Sequence, residues 1–569
     1  MINDKTAVKE QVSRDRRGAD RLLVRIVRRG GSWVGVLLTT SLVLVAAQMA
    51  LPAVLGAAVD AALHGGDFAF WLLGCGLLIG VLLICDVLDD LAAGMSTARS
   101  TAWLRRTVLD HILALGIRTT RRFDPGDLTA RLVGNAADAG RVGTFTIWAI
   151  TALIPALGGI LALALIDPWL CLTFLVGAPV LLAVVRSCVR DASALADRYL
   201  QVQGGIAGRL VDALAGARTI TAAGTTEWER KRVLAPLPEL HRHGMGMWRV
   251  QTRIAAQEAL LVPLLEVAVL AVAGWELVRG RISPGQMLAA SQYVMLAAGL
   301  GSAVMSVSRL AQARAAAGRN AAVLAEPPVP YGTESLPAGS GRLEFRGVTV
   351  RAGDTAVLDG VDLAVPAGTL IAVVGRSGSG KSVLAALAGR LLDPDEGEVL
   401  LDGVALPRLH RRALRRAVCC AFEQPTLIGD TLADVIAFGH HTPEPHEVTT
   451  AACAARADTF IQRMPAGYQT PLAEVPMSGG EVQRLGLARA FAHAGRVLVL
   501  DDVAASLDTV TEHHIHQVLT GALADRTRLI VAHRVSTAAH ADLVVWLDEG
   551  RVRSVAPHHQ LWSEPCYRA

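Results

Sequence analysis

Six apolar segments occur in the first 310 residues, each close to the ~20 residues a helix needs to cross a bilayer. They are Trp33–Val54, Phe70–Asp90, Val142–Ile166, Trp169–Val185, Ile254–Val278 and Met287–Val307. Lipid offers no partner to backbone N–H and C=O groups, so segments this long and apolar are confined to helices. The first half is therefore expected to be an all-α, six-helix transmembrane domain.

Loop charge sets the orientation. Residues 55–69 carry no Lys or Arg, and Asp167-Pro168 is a tight turn. Residues 96–141 contain Arg99, Arg105, Arg106, Arg118, Arg121, Arg122, Arg131 and Arg141, and residues 186–253 are similarly basic. Nine Lys or Arg residues also precede position 30. By the positive-inside rule the N-terminus and both long loops are cytoplasmic. Arg279 and Arg281 on the third outer connection are a minor exception. The N-terminus does not read as a signal peptide, because its charged region is long and the first apolar run is a full span. The long loops have helical patterning, which predicts that the spanning helices continue into the cytoplasm and turn there. Gly punctuates the pattern within Phe123–Leu132 and within Asp212–Ile220.

Acidic groups inside spans are costly and usually functional. Glu266 lies mid-span, three residues after Pro263, which should kink that helix. Asp86, Asp89 and Asp90 sit near the cytoplasmic end of the second span, and Glu258 near that of the fifth. Internal pairing is the preferred reading for the aspartates; Glu266 is equally compatible with a cavity suited to cationic cargo. The eight cysteines show no metal spacing and read as small buried residues of a reducing compartment. A net charge of +4 gives no case for a nucleic-acid partner.

The last 230 residues read as a soluble domain. The expected division is a basic segment 1–30, a membrane domain 31–322, a linker 323–341 and a nucleotide-binding domain 342–569. Leu370–Val374 has the composition of a buried strand and runs into Gly375-Arg376-Ser377-Gly378-Ser379-Gly380-Lys381-Ser382 and then a helical stretch. This is GxxxxGKS in its required strand–loop–helix setting. Glycines let backbone N–H groups wrap phosphates, the helix N-terminus adds a favourable dipole, Lys381 reaches the phosphates and Ser382 holds Mg²⁺. Lys381 is the only lysine after Lys231, in a chain that otherwise uses Arg. A second apolar run, Val497–Leu500, ends in Asp501 and Asp502. Asp501 is the expected Mg²⁺ partner, and Asp502 is placed to orient the attacking water.

Further motifs, in the same order along the chain, resemble those of ATP-binding cassette (ABC) transporters. Met477-Ser-Gly-Gly-Glu-Val-Gln483 is similar to that family's signature, which implies that Ser478, Gly479 and Gly480 meet the γ-phosphate of ATP held by an opposite subunit. Asp508 closes a segment similar to the D-loop, and His533 resembles the switch histidine that senses the γ-phosphate. Six spans before one cassette resemble the exporter-type half-transporters. Phe123–Leu132 and Asp212–Thr219 are similar to the extensions around that class's coupling helices. The resemblance implies ATP and Mg²⁺ as ligands, a second half-transporter, a transported substrate and a bilayer. It implies a multi-pass protein whose cassette is cytoplasmic. Arg- and Ala-rich composition points to a bacterial plasma membrane.

The sequence departs from the family at several points. Asp502 stands where Glu is usual, and Glu423 occupies the usual Q-loop glutamine position beside Gln424; either could serve, with Glu423 also a candidate Mg²⁺ neighbour. Ala352 replaces the aromatic that stacks on adenine, leaving Arg351 as a substitute, and Glu481 replaces the signature Gln. These departures favour a heterodimer with one strong and one weak site over a homodimer. The expected function is ATP-driven efflux of a peptide, lipid or amphipathic small molecule. An ATP-gated channel or regulatory subunit, or an exporter-fold importer, is the alternative. No peptidase-like domain precedes the first span, so leader-peptide cleavage is not expected of this chain.

Overall fold

The computed structural model describes residues 18–116, 123–353, 355–503 and 507–568. The basic positions up to Arg17, with Arg118, Arg121 and Arg122, lie outside the described residues. The chain divides into two compact units that part between Glu326 and Pro327.

The membrane unit is helical throughout. Four stretches are long and apolar enough to span a bilayer: Ser32–His64, Phe68–Leu115, Pro125–Ile166 and Thr226–Val278. The fourth predicted span opens the 48-residue helix Pro168–Ala215, whose described apolar portion is Pro168–Val180. The sixth is divided at Gly299 into Pro284–Ala298 and Leu300–Leu324. Helices continue far beyond the apolar runs, as their patterning predicts: Phe68–Leu115 has 48 residues and Leu237–Val278 has 42, running through Pro263. Leu73, Leu77, Leu83 and Val87 stand exposed along the second helix, the arrangement expected where lipid is the solvent.

Both turns between the long helices fall where Gly punctuates the sequence. Asp124 caps the short helix Pro125–Ala130 by accepting from the Gly126 N–H at 2.8 Å. Arg131 then pairs with Asp127 at 2.8 Å and stacks over Phe123. The second turn pivots on Gly216, between Pro168–Ala215 and Ala217–Ala222.

One buried carboxylate in the spans is fully partnered. Asp89 accepts from Thr40 Oγ1 at 3.0 Å, Ser41 Oγ at 2.5 Å and Trp148 Nε1 at 2.9 Å. That carboxylate ties three helices together. Asp86 and Asp90 are exposed, and Glu266 is half-buried. Arg279 and Arg281, the exception to the loop-charge pattern, flank buried Glu276 at 3.8 and 3.3 Å.

Small residues set the closest helix crossing. A Cβ at Gly285 would lie 2.0 Å from the Gly56 carbonyl oxygen, and one at Gly56 would lie 2.5 Å from that of Gly285. The two backbones touch, as small-residue membrane interfaces allow. Asp60 locks the crossing by accepting from the Gly285 N–H at 2.8 Å and from Ser283 Oγ at 2.5 Å. Replacing Gly285 by Leu is expected to destabilise the membrane unit by about 1–3 kcal/mol through overpacking, read as a lower melting temperature in detergent.

Among the described residues, the nucleotide unit has ten strands in two sheets. β1 (Leu343–Ala352), β2 (Thr355–Val365), β4 (Glu396–Leu401) and β5 (Val404–Ala405) form an antiparallel sheet in the order β2-β1-β4-β5. The larger sheet joins β3 (Leu370–Val374), β6 (Val418–Ala421), β7 (Val497–Asp501), β8 (Thr527–Val531), β9 (Leu543–Asp548) and β10 (Arg551–Ala556) in the order β10-β9-β3-β8-β7-β6. Its strands are parallel except β10. Both faces are covered, so the central strands are apolar without alternation. Ile371, Val373, Val499 and Val531 pack into one core, while Leu370, Leu498, Leu500 and Ile530 pack into the other.

Candidate nucleotide site

In parallel sheets, ligands gather beyond the carboxyl ends of the strands. The order β3-β8-β7 brings three segments to that edge: the loop after β3, His533 after β8, and Asp501 with Asp502 at the end of β7. The loop Gly375–Ser382 needs its glycines. Gly375, Gly378 and Gly380 have φ of 153°, 84° and 99°, in the region that disfavours a side chain. A Cβ at Gly375 would lie 2.1 Å from the Leu547 carbonyl oxygen, and one at Gly380 would lie 2.6 Å from Leu358 Cδ2.

The Lys381 ammonium lies folded into this loop, donating to the carbonyls of Gly375 and Arg376 at 2.9 Å each. Burial lowers its pKa below the usual lysine range, against the pull of Asp502 and Asp501. Ser379 Oγ is buried with no hydrogen-bond partner. A buried cation, an orphaned hydroxyl and a glycine-lined turn together fit a polyphosphate, which supplies acceptors to all three. Ser382 Oγ donates to Asp501 Oδ1 at 3.0 Å. Burial raises the Asp501 carboxyl above the usual range, and the Ser382 hydrogen bond opposes that rise. A hydroxyl and a carboxylate side by side form a hard oxygen donor pair suited to Mg²⁺.

Asp502 adopts φ 45°, a left-handed conformation Asp tolerates better than most residues. Its Oδ2 lies 3.7 Å from His533 Nε2. Carboxylate and imidazole therefore face each other beside the phosphate loop. The next residue, Arg534, is held by Glu512, which also accepts from Thr537 Oγ1 at 3.0 Å. In the D-loop, positions 504–506 lie outside the described residues. Asp508 caps helix Thr509–Thr520, accepting from the N–H groups of Val510 and Thr511 at 3.0 and 2.9 Å.

The signature residues belong to a different element. Ser478 is the N-cap of helix Gly479–Ala492, with Gly479 and Gly480 in its first turn. Glu481, an oddity by family pattern, completes a capping box: its Oε2 accepts from the Ser478 N–H and from Ser478 Oγ, each at 2.8 Å. Those bonds, led by the one from the Ser478 backbone, hold the Glu481 carboxyl below the usual range.

The same helix carries the Q-loop segment. Gln483 Nε2 donates to the Glu423 carbonyl at 3.0 Å, and Arg489 donates to the Thr426 carbonyl at 2.9 Å. Glu423 and Gln424 are both exposed, and the backbone of Glu423 is what the helix holds. Motif matching passed over Gln483; its place two residues after Glu481 marked it only as part of the signature. Arg351, the candidate adenine platform, reaches Glu396 at 3.4 Å.

A model of the ABC transporter family matches residues 358–505, and one of the ABC transporter transmembrane region matches residues 34–299. ABC transporter ATP-binding protein RamA of Streptomyces coelicolor is 46% identical over 94% of this chain and 84% of its own length. This chain belongs to the ABC transporter family. An ATP-dependent lipid A-core flippase of Chromohalobacter salexigens is 30% identical over 86% of this chain and 84% of the flippase. A solved bacterial Atm1-family ABC exporter with ATP bound superposes with a TM-score of 0.82 at 24% identity, covering 94% of this chain and 97% of that one; it establishes the fold. The protein is thus a multi-pass ABC transporter of exporter fold with an ATP-hydrolysing cassette.

The capping box gives a direct test. Glu481→Ala is expected to cost the nucleotide unit about 1 kcal/mol at neutral pH. Because the folded carboxyl titrates below its unfolded value, this contribution is complete above the unfolded pKa of about 4.3 and fades as pH falls through the folded pKa. Parent and variant unfolding curves should therefore converge in acid.

Proposed function

We propose that this ABC transporter is one half of a dimeric exporter in a bacterial plasma membrane, using MgATP hydrolysis to move an amphipathic cargo outward. The observation that carries the reading is the convergence of Lys381, the Ser382–Asp501 pair and the Asp502–His533 pair at one sheet edge. That set has a group for each requirement of phosphoryl transfer: charge on the phosphates, a metal position, and a carboxylate with an imidazole for the attacking water. Mg²⁺, held by Ser382 and Asp501, would neutralise charge developing on the phosphate oxygens. Asp502 orients the attacking water, and His533, facing Asp502 at 3.7 Å, senses the γ-phosphate.

The signature helix begins on another element, so its Ser478 would serve the phosphate loop of the second half. The 30%-identical relatives are named lipid flippases, which supports an amphipathic lipid or lipid-like cargo. A related but different half is the favoured partner. Asp502 is one methylene shorter than Glu, and a loss of about 1.4 kcal/mol at the transition state slows turnover tenfold.

In liposomes, Lys381→Ala should abolish ATP-driven cargo movement. Cargo movement that survives this substitution, or ATPase that cargo never stimulates, would point instead to a channel or regulatory subunit. Asp502→Asn should lower kcat for ATP by about a hundredfold or more, with little change in nucleotide affinity. The chain purified alone should hydrolyse ATP more slowly than when co-expressed with its partner half. A stable homodimer with full activity would remove the case for a heterodimer.

A further inference from the structure

Three of the sixteen histidines converge far from the phosphate loop in sequence. His440 and His441 follow the short helix Leu432–Ala437, and His493 caps the C-terminal end of the signature helix Gly479–Ala492. One ring nitrogen from each lies within 4.8 Å of the others. His441 Nδ1 is 2.9 Å from His440 Nε2 and 3.3 Å from His493 Nδ1. Two nitrogens bound tetrahedrally to one Zn²⁺ at its usual bond length stand about 3.4 Å apart.

The arrangement is built at two further points. His493 is buried, and its Nε2 lies 3.2 Å from the Ala437 carbonyl. A carbonyl can only accept, so Nε2 carries the proton and Nδ1 presents a lone pair towards His441. Metal-binding imidazoles are oriented by such a bond on the distal nitrogen. Gly439 lies flat against the ring: a Cβ there would fall 2.3 Å from His493 Cε1 and 2.6 Å from Nδ1. Only glycine at 439 lets the loop bring its two histidines onto His493.

We propose that His440, His441 and His493 form a site for a divalent first-row transition ion, Zn²⁺ above all, that clasps the loop after Ala437 to the end of the signature helix. Imidazole suits Zn²⁺, Co²⁺, Ni²⁺ and Cu²⁺, whereas Mg²⁺ prefers the oxygen pair at Ser382 and Asp501. His440 and His441 are exposed, so the fourth position opens to solvent. Arg416 and Arg489 add positive charge around the cluster, which favours an anionic fourth ligand such as hydroxide.

The test uses the tag-free, chelator-stripped full chain without nucleotide, titrated with Co²⁺ and followed by visible absorption. Imidazole-rich tetrahedral Co²⁺ absorbs much more strongly than octahedral, oxygen-bound Co²⁺, so any ion at Ser382 and Asp501 is told apart. One equivalent should give the intense bands, and Zn²⁺ should displace it. His440→Ala and His441→Ala, both on the exposed loop, should each weaken binding at least tenfold while ATP binding stays at the parent level. Gly439→Ala should weaken it as well. Absence of the intense bands in the parent chain would overturn the site. So would unchanged Co²⁺ affinity in the His440→Ala/His441→Ala double variant, leaving the three rings as a stacked cluster.

Discussion

The hydrogen bond from Ser382 Oγ to Asp501 Oδ1, 3.0 Å long, joins the phosphate loop to a strand two places away in the sheet. β8 runs between β3 and β7, so this side-chain bond closes a gap that the backbone ladder leaves open. Asp501 is partly buried where charge is costly, and the adjacent Asp502 raises that cost. The carboxylate is held there by a hydroxyl and by the buried Lys381 ammonium. A divalent cation at the same spot would relieve all of this, which is how an unfavourable arrangement of like charges can serve as a binding site. The glycines of the loop let its backbone turn and pack against β9 at Leu547 and β2 at Leu358, as their φ values and the blocked Cβ positions at 375 and 380 show.

Much of this was legible from residue order, because the requirements are local. A glycine-rich turn between a buried strand and a helix is a short-range pattern, and so is an aspartate pair ending an apolar run. Six spans were equally readable from length and apolarity, though the last divides at Gly299 and the fourth merges into a 48-residue helix. What could not be read were contacts between distant segments. Gly56 and Gly285 touch across more than two hundred positions, and nothing in either neighbourhood announces it. Asp89 looked like one member of an acidic cluster. In the fold it differs from Asp86 and Asp90, because its side of the helix faces Thr40, Ser41 and Trp148. Glu481 carries a local signal of its own: Ser, two residues, then Glu is a capping box by spacing alone. Comparison with a family pattern made it a defect when local chemistry makes it a cap.

That cap changes the meaning of the signature. Ser478 Oγ is turned towards the Glu481 carboxylate, so its proton is already committed within its own turn. For the hydroxyl to meet a phosphate, either the rotor must turn or the carboxylate must withdraw, and the carboxylate itself repels an incoming anion. With Asp502 shorter than the usual Glu, each half of a composite site built from two copies of this chain would carry a handicap. A partner with the ordinary residues would separate the two handicaps into different sites, which is the physical content of the proposed heterodimer.

Helix Gly479–Ala492 is the element through which such differences spread. Along its length it is fastened to one stretch of chain three times: Gln483 to the Glu423 carbonyl, Arg489 to that of Thr426, and His493 just past its end to that of Ala437. Gly486 lets it settle on Pro425, where a Cβ would come within 2.6 Å of the ring. All three hydrogen bonds are received by backbone carbonyls, so the segment 423–437 follows the helix as a body whatever its own side chains do. Because the helix grips the Glu423 carbonyl, the loop is held there whichever side chain stands at 423. Movement of the signature end must therefore displace the Q-loop segment.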